Sequence, residues 1–309
     1  MAVRWRYRVE YALLRVFTAA LNALPYRLAL CVAAASAAAV YRLVRQRPRE
    51  ARRRIAEVFP DKSAAEVDRI ARRALRHLFF SAIETFRFPR LSDRWVARHI
   101  DVGNFPDVVE SNLKPGQGAL LVIPHMGNWE MAGLAASRRG HPMFFLVGRQ
   151  RNPLAEQFMN RARAATGIVV ITRDDHAVRH VIRNLREGRI FGILPDVRMK
   201  TPGVPVTFLG KPMDLPGGVG LFARRLGIPV FIGHVRREGW TRHVWEFQPP
   251  LWADESADKD GDDRRLSQAV ADSFSEAIRR YPDQYFWYNK RWILEPRSPA
   301  TAGSPAAAG

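Results

Sequence analysis

From about residue 101 onward, short apolar runs alternate with amphipathic stretches. Each run is short, bounded by glycine, proline or charged residues, and rich in β-branched and aromatic side chains, which is typical of buried strands. Alternation with helices predicts an α/β fold in which helices flank a central, largely parallel or mixed β-sheet. The runs are ALLVIP, MFFLV, GIVVI, IFGILP, PVFIGHV and RHVWEFQPP.

The first hundred residues have a helical pattern instead. Residues 11–24 and 28–41 are apolar helical segments. Ser63 and Glu66 form a capping-box pattern, so a helix is expected to begin near residue 64 and to stop around Pro89.

Charge changes the interpretation of the apolar segments. The chain carries a net charge of +19, and residues 1–60 contain twelve arginines against three acids. Neither apolar segment reaches the roughly 20 residues of a clean membrane span, and Arg15 interrupts the first. The combination favours a helical hairpin or an in-plane anchor on anionic lipid. The alternatives are a single short membrane span, core helices, a surface with evenly spread charge and a nucleic-acid-binding protein. No helix-turn-helix, zinc-finger or RNP motif supports the last.

Three regions follow from these patterns. Residues 1–47 are predicted to form a basic, apolar membrane-associating segment, residues 48–296 an α/β domain, and residues 297–309 a disordered tail. The acid-rich stretch 254–263 is expected to be a solvated loop ahead of a final helix. A single cysteine, Cys31, excludes an intramolecular disulfide framework.

The stretch GQGALLVIPHMGNWEMAG carries the chemistry. Ala119 to Ile123 form a strand that Pro124 ends, and Asn128 can cap a helix that begins near Trp129. His125 then lies at the carboxyl end of a strand, where open α/β sheets bind ligands. Glu130, in the first turn of the helix, is expected to reach back to the imidazole.

A histidine paired with a carboxylate is suited to general-base catalysis. No G-x-S-x-G motif is present, and Cys31 lies in an apolar segment, so the sequence offers no protein nucleophile. The pair would therefore deprotonate a substrate hydroxyl that attacks an acyl carbonyl. Backbone amides near Gly127 and Asn128 are candidates to stabilise the oxyanion. The alternative is a chance pair at a strand end.

Other polar groups are weaker candidates. Arg198, close after Asp196, is expected to face an acceptor phosphate or to belong to a solvated loop. His176 and His180 have a spacing that occurs in metal sites, but no third ligand is evident, and no metal is predicted. The glycines of LPGGVGLFARR form either an anion site or a packing turn.

Several motifs, in order, resemble the bacterial lipid A biosynthesis acyltransferases, the late lauroyl and myristoyl transferases of the wider lysophospholipid acyltransferase superfamily. The resemblance covers about residues 10–296. The motifs are RRRIAEVFPDKSAAEVDRIARRALRHLFFSAIE, HMGNWE in the H-x4-[D/E] pattern, RQRNPLAEQFMNRARAATG, GRIFGILPDVR, GVPVTFLGKP and YPDQYFWYNKRW.

The resemblance implies a membrane-bound enzyme at the cytoplasmic face of the inner membrane. It would transfer a fatty acyl chain from acyl carrier protein to a hydroxyl of a lipid A precursor, with no cofactor beyond the acyl donor. HMGNWEMAG is also close to the motif of a branch that acylates phosphatidylinositol mannosides, so an acyl-coenzyme A-dependent enzyme of that type is the alternative. Expected partners are acyl carrier protein, anionic lipids and the glycolipid, with no nucleic acid.

The family's residue roles carry over to matching positions. The resemblance implies that His125 and Glu130 are the catalytic dyad, and Arg151, with Arg149 as an alternative, binds an anionic substrate group. Val197 replaces the glutamine that often follows the Pro-Asp pair of the family. The predicted substrate-binding residues are Arg149, Arg151, Asn128, Asp196 and Arg198.

Overall fold

A computed structural model describes residues 4–295, with the exception of residues 174 and 200. The predicted tail at residues 297–309 lies outside the described residues. Lys200 and Asp174, which flank predicted candidates, also lie outside them.

Four helices make up the N-terminal part of the described chain. The fourth begins with the predicted capping box, in which Ser63 and Glu66 satisfy each other's backbone N–H groups, and it ends just before Pro89. These helices are α1 (Trp5–Ala23), α2 (Tyr26–Leu43), α3 (Gln46–Val58) and α4 (Ala64–Arg87).

Both apolar N-terminal helices, α1 and α2, pack against helix α4. Helix α2 presents small buried residues to it, Ala29, Ala33 and Ala37, which allow the two helix axes to approach closely. Leu21 at the end of α1 joins Phe80 of α4 in the same apolar cluster. The segments are thus helices attached to the rest of the fold, each in contact with α4.

One described helix is long and apolar enough to cross a membrane. It is α2, with a mean hydropathy of 1.2 over 18 residues, of which 28% are buried in the protein. Core helices of soluble proteins can have the same length and composition, so this property alone is weak evidence for a span.

The α/β prediction is confirmed by a seven-stranded mixed sheet in the order β1-β9-β8-β2-β5-β3-β4. All six predicted apolar runs contain a strand of this sheet. The seven strands are β1 (Ile100–Asp101), β2 (Ala119–Val122), β3 (Met143–Val147), β4 (Val169–Thr172), β5 (Ile190–Ile193), β8 (Val230–Glu238) and β9 (Arg242–Phe247). The helices around it are α5 (Asp93–His99), α6 (Phe105–Val108), α7 (Trp129–Arg138), α8 (Pro153–Ala164), α9 (Ala177–Arg186), α10 (Val219–Leu226) and α11 (Lys259–Arg280).

Central strand β2 is buried on both faces. It pairs in parallel with β5 on one side and β8 on the other. Leu120 and Val122 enter one apolar core, whereas Leu121 and Ile123 enter a second core on the opposite face. Alternation of side chains along a strand explains this division, and helices on both faces explain the continuous apolar run.

Two features differ from the sequence prediction. A separate antiparallel hairpin, β6 (Val204–Phe208) and β7 (Lys211–Leu215), was not predicted. The acid-rich stretch is not a loop throughout, because Asp258 caps α11 and the helix runs through the remaining acids. Acidic side chains in a first helical turn are favoured by the helix dipole, so a run of acids can begin a helix.

His77 on α4 is a buried histidine without a hydrogen-bond partner for its Nδ1 atom. Burial, reinforced by the charges of Arg237 and Arg76, lowers the pKa of His77 to about 3. An unfolded chain would protonate this side chain near pH 6.5. Acidification therefore favours unfolding across the interval between about pH 6.5 and pH 3.

We expect His77→Leu to reduce the loss of stability on acidification. The wild type should lose up to about 1.4 kcal/mol more per pH unit below pH 6 than the variant, because only the wild type binds a proton at this position on unfolding. Urea unfolding of both proteins at pH 6.5, 5.5 and 5.0 measures the difference. Equal pH slopes would show that His77 is already protonated in the folded protein.

Candidate active site

The register of β2 and β5 brings His125 next to Asp196. Val122 is paired with Ile193, the last residue of β5, and both strands run in the same direction. His125 and Asp196 each follow three residues later, so the two side chains leave the same edge of the sheet. This is the carboxyl edge at which α/β sheets bind ligands.

Two hydrogen bonds fix the pair. Nδ1 of His125 lies 2.6 Å from Oδ1 of Asp196, and the backbone N–H of His125 donates to Oδ2 over 2.8 Å. Asp196 is 2% exposed, whereas the imidazole is 20% exposed. A carboxylate on Nδ1 selects the tautomer that carries its proton there, which leaves Nε2 able to accept one.

Glu130 does not reach the imidazole as the sequence predicted. Its carboxylate forms a bidentate ion pair with Arg163 of α8, at 3.0 Å from Nε and 2.6 Å from Nη2. The first helical turn directs Glu130 toward α8, and the cation there binds both carboxylate oxygens. Asp196, predicted to bind substrate, occupies the position expected for Glu130. A role for Glu130 in activity stays a prediction.

Asn128 caps α7 as predicted, and its side chain is bonded within the protein. Its Oδ1 accepts from the Met131 amide, its Nδ2 donates to Glu84 over 2.6 Å, and the residue is fully buried. Both polar atoms are engaged within the protein, and a contact between this side chain and substrate stays a prediction.

The C-terminal segment holds the loop that carries His125. Phe286 donates its N–H to the His125 carbonyl, and the Gly127 N–H donates to the Gln284 carbonyl over 3.0 Å. Gly127 has a φ of +58°, and a Cβ there would lie 2.1 Å from the Val235 carbonyl oxygen. Only glycine fits this position. Since its N–H is already bonded, Gly127 is not the oxyanion donor that the sequence suggested.

Aromatic side chains lie next to the His125 imidazole. Trp129 meets the imidazole edge to face at 4.9 Å, and Phe286 stacks against Trp129 at 6.1 Å. Both aromatic residues are half-buried. Tyr285 and Trp287, on either side of Phe286 in the chain, are both buried.

Arg149 and Arg151 line a separate groove with a volume of about 750 Å³ at the start of α8. Both arginines are exposed, and Asn152 between this groove and α1 caps α8 while its Nδ2 donates to Glu10 and the Tyr7 carbonyl. The groove is therefore anchored to the N-terminal helix. Its cationic lining suits an anionic group.

Arg198 lies at a different cavity, of about 360 Å³, beside the β6–β7 hairpin. Its guanidinium donates to the Glu295 carbonyl, and its backbone N–H donates to the Arg291 carbonyl. The structure thus does not bring Arg198 together with Arg149 and Arg151.

The glycines of LPGGVGLFARR lie at the start of α10. The Asp263 carboxylate lies against Gly220, which supports a packing turn there.

The fold and the His125–Asp196 pair at the sheet edge define the class of protein as an α/β enzyme. The family model described as bacterial lipid A biosynthesis acyltransferase matches residues 4–293. The chain therefore belongs to this family and is an acyltransferase.

Relatives with curated names are distant. A phosphatidylinositol mannoside acyltransferase of Mycobacterium tuberculosis is 28% identical over 254 residues, which cover 80% of this chain and 78% of that protein. The protein with the same name in Mycolicibacterium smegmatis is also 28% identical, with 80% of each chain covered. Lipid A biosynthesis acyltransferase 2 of Shigella flexneri is 21% identical and covers 81% of this chain and 79% of its own.

Substitution of Asp196 should distinguish the two candidate carboxylates. We expect Asp196→Asn to lower the rate of acyl transfer by about 10²- to 10⁴-fold, because an amide that donates to Nδ1 favours the wrong imidazole tautomer. Glu130→Gln keeps a hydrogen bond to Arg163, so its rate of acyl transfer should fall less than that of Asp196→Asn. Steady-state rates of both variants, compared with His125→Ala, measure this. A larger loss in Glu130→Gln than in Asp196→Asn would make Glu130 the partner of His125.

Proposed function

We propose that this acyltransferase transfers a fatty acyl chain from a thioester donor to a sugar hydroxyl of an anionic glycolipid at the cytoplasmic face of the membrane. The His125–Asp196 pair carries the proposal. It provides a base whose Nδ1 atom is held by a carboxylate, at the ligand-binding edge of the sheet.

The proposed reaction uses a single transfer step. Nε2 of His125 takes the proton from the acceptor hydroxyl as the oxygen attacks the thioester carbonyl, and Asp196 stabilises the imidazolium. The tetrahedral intermediate then expels the thiolate, which receives the proton from His125. One ester and one thiol form from one thioester and one alcohol, so no cofactor is consumed.

A phosphatidylinositol mannoside is the acceptor that we favour. The two mycobacterial relatives carry that name at 28% identity, whereas the lipid A relative is 21% identical. The HMGNWEMAG motif also resembles that branch. A lipid A precursor is the second candidate, supported by the description of the family model.

The groove at Arg149 and Arg151 fits this acceptor class, since both candidates carry phosphate. Both arginines are exposed and line this groove. A guanidinium binds phosphate through paired hydrogen bonds. Acyl-coenzyme A and acyl carrier protein are both anionic thioesters, and we favour acyl-coenzyme A together with the mannoside acceptor.

Helix α1 supplies a surface for the membrane. Trp5, Val9, Leu13 and Val16 are spaced three or four residues apart, and Trp5 is 77% exposed while Val16 is 69% exposed. Four arginines between residues 4 and 15 accompany this apolar stripe. Such a helix is suited to lie in the plane of an anionic membrane.

Purified protein on anionic vesicles tests the proposed function. Each acceptor would be supplied with either palmitoyl-coenzyme A or palmitoyl acyl carrier protein, and acylated lipid would be measured by mass spectrometry. Acylated phosphatidylinositol mannoside formed by the wild type and not by His125→Ala supports the proposal. If product forms only from the lipid A precursor, that lipid is the acceptor instead of the mannoside. If His125→Ala is as active as the wild type, the mechanism is wrong.

The basic groove predicts a selective effect on acceptor binding. Arg149→Ala and Arg151→Ala should each raise the KM for the phosphorylated acceptor about tenfold, because each removes one charge-assisted hydrogen bond, while kcat changes less. Initial rates at varied acceptor concentration measure this. Arg183→Ala, on the exposed face of α9, is the control. An unchanged acceptor KM in both groove variants would exclude this binding site.

The apolar stripe predicts membrane binding through α1. Leu13→Glu combined with Val16→Glu should weaken co-sedimentation with anionic vesicles, since two charges would enter the interface. The control is Val178→Glu, which adds a charge at another exposed apolar side chain, 51% exposed and on α9. Equal loss of binding in control and test variants would show that α1 is not the membrane-binding surface.

A further inference from the structure

A buried polar cluster connects helices α2, α4 and α7 with strand β8 behind the loop that carries His125. Its members are Tyr26 of α2, Glu84 of α4, Asn128 at the start of α7 and Arg237 of β8, and we refer to it as the Glu84 cluster. The Glu84 and Arg237 side chains are at most 1% exposed, and Asn128 is completely buried. Neither Glu84 nor Arg237 takes part in the proposed proton transfer.

Glu84 is the centre of this cluster. Its carboxylate binds both terminal nitrogens of Arg237, at 2.7 Å and 2.6 Å, and accepts from Nδ2 of Asn128 at 2.6 Å. The Tyr26 hydroxyl donates to the other oxygen. Four donors therefore converge on one carboxylate, and one of them belongs to the residue three positions after His125.

The carboxylate stays ionised inside the protein. Burial by itself would raise the pKa of Glu84, but the charge of Arg237, followed by that of His243, holds it well below its usual value. A buried ion pair of this kind adds little net stability compared with apolar residues of similar volume. Its presence beside the catalytic loop therefore calls for another explanation.

Hydrogen bonds hold the loop from His125 to Asn128 at three of its four residues. Asp196 binds the His125 amide, Gln284 binds the Gly127 amide and Ser81 of α4 donates to the Gly127 carbonyl over 2.9 Å. Glu84, one turn after Ser81 on α4, binds the Asn128 side chain. Arg237 also uses its backbone N–H and carbonyl to bind Gln284. Helix α4 and strand β8 thus define the path of this loop.

We propose that Glu84, held by Arg237, is a positioning residue that sets the orientation of His125 through its hydrogen bond to Asn128. The assignment rests on the proposed role of His125 as the general base. A displacement of about 1 Å in a reacting group can cost on the order of 10²-fold in rate, so a rigid anchor three residues away matters for turnover. Substrate binding at the exposed groove should not depend on it.

Asn128→Ser removes the bond to Glu84 while a serine can still cap α7. We expect kcat to fall on the order of 10- to 100-fold with little change in either KM, measured well below the unfolding temperature of the variant. A folded Asn128→Ser variant with wild-type kcat would overturn the proposal. So would a fall in kcat matched by equal changes in both KM values, which would indicate general disorder of the site.

A swap of donor and acceptor tests the bond itself. Asn128→Asp places two carboxylates against each other and should lower kcat at least as much as Asn128→Ser. Adding Glu84→Gln restores one donor and one acceptor with their direction reversed, and kcat should recover by about tenfold or more over Asn128→Asp. Recovery of thermal stability without recovery of kcat would mean that the bond serves the fold alone. If the double variant does not fold, the Asn128→Ser result decides.

Asp262→Asn is the matched control. Asp262 is also a buried carboxylate with arginine partners, but it lies on α11 and contacts Arg224 and Arg265 instead of the His125 loop. The Asp262→Asn variant should be less stable than the wild type but should have the same kcat. His125→Ala in the same assay separates the two proposals: full activity there would reject the mechanism, whereas an inactive His125→Ala with a normal Asn128→Ser would reject only the positioning role.

Discussion

The parallel pairing of β2 with β5 is the constraint on which the site depends. Because Val122 lies opposite Ile193, the residues that follow both strands emerge together at the carboxyl edge of the sheet. A shift of the register by one residue would turn every side chain of β2 to the opposite face and would misplace His125 relative to Asp196. Burial of β2 on both faces fixes this register, since each face supplies a different apolar core.

Burial of the polar groups behind the site costs hydration free energy, whereas burial of apolar side chains does not. Glu84 and Arg237 must give up their hydration, and the compensation is a set of direct hydrogen bonds from Tyr26, Asn128 and Arg237 to one carboxylate. Satisfied networks of this type rigidify their surroundings. The Glu84 cluster joins the N-terminal helices, the sheet and the loop that carries His125, so the N-terminal helices and the site share one rigid frame.

Local patterns allowed much of the fold to be predicted. The six apolar runs contain the strands of the main sheet except the two-residue β1, and the capping residues Ser63 and Asn128 mark helix starts where they were expected. The β6–β7 hairpin escaped prediction because Pro205 and Pro212 interrupt its strand pattern. The start of α11 was not predicted because it lies in an acid-rich stretch, with Asp258 as its cap and Asp260 and Asp262 in its first turn, and such stretches also occur in solvated loops.

The sequence by itself determined that His125 follows a buried strand, that a helix begins just after it and that the chain has the motif order of an acyltransferase family. Those properties depend on neighbours within a few residues. Tertiary structure alone decided that the carboxylate on His125 is Asp196, which is 71 residues away, and that Glu130 pairs with Arg163. Spacing along the chain cannot reveal such partners, because they are set by which strands pair and in which register, and that choice is made by burial of the whole sheet.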